Sequence, residues 1–121
     1  MMKVIIADDS DLILDRLQQI LSQFEQIVIV GSFRNGTEAL EGMRLLEPDL
    51  AILDFKMPGL NGIEVLKEFR KENVTTKIII LTFYATDYYR LMASKAGADY
   101  FYSKVDDFEK IELAVGNILE K

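Results

Sequence analysis

The sequence predicts an α/β fold in which five βα units wind over both faces of one parallel sheet, and three observations predict it. Short apolar runs rich in β-branched residues recur at a near-constant interval, over residues 4–6, 27–30, 50–53, 78–81 and 100–102. The intervals between them carry helical periodicity. The runs are apolar at consecutive positions rather than at every second one, which is the pattern of strands covered on both faces and therefore of a parallel sheet.

Each element follows in order. The first run ends at Asp8-Asp9, and Ser10 is placed to cap a helix marked by Ile13, Leu17, Ile20, Leu21 and Phe24. The second run passes through Gly31-Ser32-Phe33, Asn35-Gly36-Thr37 turns the chain into a helix with Leu40, Met43 and Leu46 on its apolar face, and Pro48 follows its end. The third run ends at Asp54. The segment after it, Met57-Pro58-Gly59-Leu60-Asn61-Gly62, reads as a turn in which Pro58 fixes φ and each glycine permits φ above zero. The fourth run ends at Thr82, and Gly97 stands where the following helix would take a left-handed C-cap. The fifth run ends just before Lys104, and Asp106 or Asp107 caps a last helix marked by Phe108, Ile111, Val115 and Ile118. No linker or low-complexity stretch interrupts the pattern, so residues 1–121 read as one domain.

Composition removes several chemistries. The 121 residues include no Cys and no His, and 20 acidic against 14 basic side chains give a net charge of −6. The missing Cys excludes a disulfide framework, a thiolate zinc site and a cysteine nucleophile. The missing His removes Ser-His-Asp chemistry and leaves only hard, oxygen-loving cations as candidate metals. The acid excess gives no electrostatic footprint for nucleic acid or an anionic membrane, so neither is an expected partner of this chain alone. No apolar run approaches the roughly 20 residues that span a bilayer, and the apolar stretch before Asp8 is too short for a signal peptide, so a cytoplasmic location is expected.

Ligands of doubly wound parallel sheets bind outside the carboxyl ends of the strands, where the strand order reverses. Asp8 and Asp9 follow the first strand, Asp54 the third, Thr82 ends the fourth and Lys104 ends the fifth. With the first and third strands as neighbours, three carboxylates, a hydroxyl and an ammonium converge in one acidic pocket with a basic rim. Carboxylates within about 4–6 Å raise one another's pKa unless a cation intervenes. Mg²⁺, small and held by one or two carboxylates plus waters, suits such a pocket. Each residue alone has a plainer reading: a helix cap for Asp8 or Asp9, a turn cap for Asp54, a strand residue for Thr82, a solvated side chain for Lys104. Their coincidence at one sheet edge favours the pocket.

Asp8-Asp9, Asp54 within Leu53-Asp54-Phe55-Lys56-Met57-Pro58-Gly59, Thr82 and Lys104, in this order and each at its strand end, resemble the receiver domain of two-component response regulators, chemotaxis-regulator-like, over almost the whole chain. The resemblance implies a flavodoxin-like sheet with strand order 2-1-3-4-5. It implies Asp54 as phosphoacceptor, with Thr82 and Lys104 on phosphoryl oxygens. It also implies Mg²⁺ held directly by Asp9 and Asp54, by Asp8 mainly through water, and by the backbone carbonyl of Lys56. Thr82 and Phe101 would form a switch, the ring moving into space that the hydroxyl vacates. The chain has no His of its own, so the donor is a sensor histidine kinase, a phosphotransfer protein or a small phosphodonor. The implied activity is that of a signalling phosphoacceptor with self-catalysed phosphotransfer and autodephosphorylation, not a turnover enzyme.

The implied output surface is the fourth helix, fifth strand and fifth helix, residues 87–119, near which Tyr84, Tyr88, Tyr89, Tyr100 and Tyr102 gather. It would meet a downstream protein, an output domain or a second copy as homodimer. A receiver cut from a longer DNA-binding transcriptional regulator carries the same residues. A phosphatase with an Asp nucleophile needs a second acid at position 56, which is Lys, and a cofactor module on the same sheet needs a Gly-rich phosphate loop that does not follow the first strand.

Overall fold

The computed structural model describes residues 1–120. The elements alternate as β1 (Met2–Ala7), α1 (Asp11–Leu21), β2 (Ile27–Phe33), α2 (Gly36–Leu46), β3 (Leu50–Asp54), α3 (Gly62–Arg70), β4 (Lys77–Thr82), α4 (Asp87–Ala96), β5 (Tyr100–Ser103) and α5 (Phe108–Leu119). The strands lie in the order β2-β1-β3-β4-β5, every pair parallel. The expected order 2-1-3-4-5 is therefore the observed one.

The consecutive apolar residues of each inner strand feed two different cores. Ile5, Ala7, Ala51, Leu53, Ile78 and Ile80 face α2, α3 and α4. Val4, Ile6, Leu50, Ile52, Ile79 and Leu81 face α1 and α5. Both faces of the sheet are thus withdrawn from water, and the alternation along each strand decides which core receives which side chain. β2 departs from this pattern: it is one of the two edge strands, only half-buried, and its register on β1 shifts between Val4 and Ile5.

Side-chain caps set the helix starts. Ser10 accepts from the Ile13 amide at 3.3 Å and Asn35 from that of Glu38 at 2.8 Å. Gly97 closes α4 in the left-handed region, φ 107°. Two starts were not read from the sequence. Asn61 and Glu64 form a reciprocal capping box on α3, and Thr86 caps α4 through the Tyr89 amide at 3.2 Å.

Two local expectations need correction. Asp107 occupies the N-cap position of α5 but makes no cap bond; its Oδ2 accepts instead from the Ser103 amide at 2.9 Å, tying the helix start back to β5. In the 57–62 segment only Gly59 has positive φ, 76°, whereas Gly62 is already the first residue of α3. Among the described residues no helix is long and apolar enough to cross a membrane.

Candidate functional site

The pocket forms at the carboxyl edge because four strands end level there. Asp8 leaves β1 with its amide bonded to the Phe33 carbonyl at 3.0 Å, so β2 contributes a backbone anchor. The Phe55 amide bonds to the Leu81 carbonyl at 2.8 Å, and the Lys104 amide to the Thr82 carbonyl at 2.9 Å. The ends of β3, β4 and β5 are thereby locked beside one another.

Lys104 is the centre of the arrangement. Its side chain, 3% exposed, places Nζ 2.6 Å from Asp8 Oδ2 and 2.9 Å from Asp54 Oδ1. Asp8 Oδ1 accepts from the Ser10 amide at 2.9 Å, and Asp54 Oδ1 from the Lys56 amide at 3.3 Å. Asp8, Asp9 and Asp54 each present an oxygen within 4.8 Å of the others, with Asp8 and Asp54 buried and Asp9 exposed at the mouth. The structure thus brings together Asp8, Asp54 and Lys104 directly, with Asp9 and the Lys56 backbone beside them.

Burial pushes the Asp54 carboxyl up to about 6, and the charge of Asp8 adds to the rise; the hydrogen bond and charge of Lys104 and the Lys56 amide pull against it. One ammonium among three carboxylates leaves net negative charge in a pocket largely closed to water. Asp8 Oδ2 is buried and has no aligned hydrogen-bond donor beyond the ion pair. Three carboxylate oxygens within 4.8 Å of one another, in a set made only of carboxylates and backbone, fit a hard divalent cation such as Mg²⁺.

Backbone shape holds the phosphoacceptor candidate in place. The Gly62 amide donates to the Phe55 carbonyl at 2.8 Å, and a Cβ on Gly62 would lie 2.4 Å from the Asp54 carbonyl oxygen. α3 therefore starts against the backbone of Asp54, where any side chain would collide.

Thr82 is buried, and its Oγ1 accepts from the Tyr84 amide at 2.9 Å. Phe101 is 7% exposed and lies in the core beneath α2, α3 and α4, paired in register with Ile80. The tyrosines divide between surfaces. Tyr84 and Tyr88 are exposed, Tyr89 rests on Phe55 with ring centroids 4.7 Å apart, and Tyr100 and Tyr102 turn to the α1/α5 side.

Several contributors escaped the sequence. The Ser103 hydroxyl accepts from the Val105 and Asp106 amides at 3.1 and 3.2 Å and shapes the turn after Lys104. Phe83 rims the mouth, with Lys104 Nζ 5.0 Å from its ring, beside Tyr84, which the sequence did mark and whose ring lies 4.5 Å from Lys56 Nζ. Only the spacing of Ser103 from Lys104 was a signal that could have been used.

Comparison with known proteins points one way. Residues 4–116 match the family described as response regulator receiver domain. The uncharacterised transcriptional regulatory protein YvfU of Bacillus subtilis is 35% identical over 115 residues, 95% of this chain and 58% of its own length. The response regulator domain of Thermotoga maritima CheB superposes with a TM-score of 0.87 at 27% identity, covering 99% of this chain and 95% of that one. The isolated receiver domain of RcsB from Salmonella enterica serovar Typhimurium, determined in the presence of phosphomimetic BeF₃⁻, gives 0.85 at 26% identity, covering 96% and 88%. The chain spans about half the length of the curated relatives it matches.

Proposed function

Because the chain belongs to the response regulator receiver domain family, we propose that residues 1–121 act as a phosphorylation-dependent switch of a two-component system, with Asp54 as the phosphoacceptor. The observation that carries this reading is the Lys104 ammonium bridging the buried Asp8 and Asp54 carboxylates at 2.6 and 2.9 Å. A cation so placed neutralises charge where a phosphoryl group would arrive, and phosphoryl transfer asks little else of a protein but positioning and charge.

In the proposed step an Asp54 carboxylate oxygen attacks the phosphorus of a phosphohistidine on a histidine kinase or phosphotransfer protein. The P–N bond breaks, the electron pair returns to the imidazole, which takes a proton from solvent, and Asp54 becomes an acyl phosphate. Lys104 turns from Asp54 toward a phosphoryl oxygen as a compact point charge. Thr82 exchanges its bond to the Tyr84 amide for one in which its hydroxyl donates to another phosphoryl oxygen. Asp9, Asp54 and the Lys56 carbonyl would hold Mg²⁺, with Asp8 reaching it through water, since Asp8 is already engaged by Lys104 and the Ser10 amide. That ion would supply positive charge to the phosphoryl oxygens when bound.

The change would leave the pocket through Thr82 and Phe101 and be read on the face formed by α4, β5 and α5, by a downstream protein, an output domain or a second copy. The relatives matched over part of their length include proteins named transcriptional regulators, and in a second reading the same switch drives a DNA-binding output domain. The roles of the pocket residues are shared by both readings.

Acetyl phosphate with Mg²⁺ tests the central claim. Intact mass spectrometry is expected to show the gain of one phosphoryl group in the native chain and none in Asp54→Ala. No gain in the native chain, or an equal gain in the variant, refutes it.

A further inference from the structure

α4 is the helix least anchored by apolar burial. Its buried residues are only Ala93 and Ala96, small side chains that remove little surface from water, and Tyr89 adds one ring contact with Phe55. Arg70 holds the far end of the helix through the Gly97 carbonyl at 2.8 and 3.1 Å, and one polar tie joins its N-terminal half to β5. Arg90 Nη1 donates to the Phe101 carbonyl at 3.1 Å, and the same guanidinium lies over the Phe101 ring, Cζ 4.8 Å from its centroid. A single α4 side chain therefore grips both the backbone and the ring of one β5 residue.

The two grips differ in what they follow. The carbonyl is fixed in the sheet, while the ring turns about its side-chain torsions. A planar guanidinium can bond the carbonyl and stack on the ring together only when the ring occupies one position. If the ring moves, Arg90 must give up the stack or shift, and α4 loses part of its hold on the body. The Asp107 carboxyl at the start of α5 is held below its usual range by the Ser103 amide and Lys110, with Arg90 the smallest of the influences on it.

We propose that Arg90 is the positioning residue that couples Phe101 to α4, so that a change at Asp54 reaches the α4 surface through this one guanidinium. The inference rests on the phosphoacceptor reading of Asp54. It goes further in naming the side chain that carries the signal from β5 to the helix.

The test is amide NMR of the full chain, titrated with beryllofluoride and Mg²⁺, comparing native, Arg90→Ala and Arg90→Lys. In the native chain two groups of amides are expected to shift together: those around Asp54 and Lys56, and those of α4 around Leu91. In Arg90→Ala the pocket amides still shift, while the α4 response falls by at least roughly twofold, because the coupling and not the site has been removed. Arg90→Lys keeps the charge but cannot bond and stack at once, so it recovers only a minor part. An α4 response in Arg90→Ala as large as in the native chain overturns the proposal, and so does full recovery in Arg90→Lys, which would assign the effect to charge alone. A native chain whose pocket amides do not respond refutes the phosphoacceptor reading itself and takes this inference with it.

Discussion

Asp54 sits where burial and the charge of Asp8 both favour its neutral form, and Lys104 offsets them only in part. Its carboxyl lies up at about 6 against an ordinary 3.8. In the metal-free protein the folded state therefore keeps a proton that the unfolded chain has already released. A group raised in this way contributes stability at low pH that is lost as pH climbs through the folded value. Replacing Asp54 with Asn removes that loss. Urea unfolding in EDTA is expected to show the native chain losing stability relative to Asp54→Asn as pH rises from 3.8 to about 6, with the difference levelling above that window. A difference that stays flat, or that slopes the other way, would mean that Asp54 is not held by burial as described. The lowered Asp107 carboxyl acts alike in both proteins and drops out of the comparison.

At the scale of elements, the join between β3 and α3 is a tight constraint on the site. A methyl on Gly62 would lie 2.4 Å from the Asp54 carbonyl oxygen, backbone that is itself held by β4 through the Phe55 amide. Neither side can yield cheaply, so Gly62→Ala is expected to destabilise the chain by about 1–3 kcal/mol and to slow phosphorylation by displacing Asp54. Equal stability and equal rate in that variant, by urea melts and acetyl phosphate labelling, would show that the close approach is not a constraint. The same join marks where the sequence was legible and where it was not. The pocket residues could be read because each stands at the end of an apolar run, and that alone places them on one edge. Asn61-Gly62 looked like a turn pair, yet the Glu three residues after Asn61 was the signal for a capping box. Asp107 misled for a different reason: a short carboxylate beside two backbone donors can cap a helix or brace a strand, and only the position of Ser103 in the sheet decides it. Arg90, Phe83 and the Phe33 carbonyl join the site or its output through pairings between distant segments, which local pattern does not contain.

For the whole molecule, part of the net charge is concentrated in this pocket. The chain carries −6, and three of its acids meet within 4.8 Å around a single buried ammonium. The unfolded chain cannot gather those oxygens, so a divalent cation that binds them favours the folded state by mass action. At about 100 times the dissociation constant the gain is about 2.7 kcal/mol, which for a domain of this size raises the melting temperature by about 10 °C. Simple screening of the net charge would act differently, since NaCl at matched ionic strength supplies it equally well. Asp9 separates the two cases, because it is exposed and its change to Asn leaves the core and the Lys104 bridge intact. Thermal melts are expected to show a rise with MgCl₂ well beyond that with NaCl in the native chain, and little difference between the two salts in Asp9→Asn. Equal shifts from both salts in the native chain, or an undiminished Mg²⁺ shift in Asp9→Asn, would rule out the carboxylate cluster as the ion's seat.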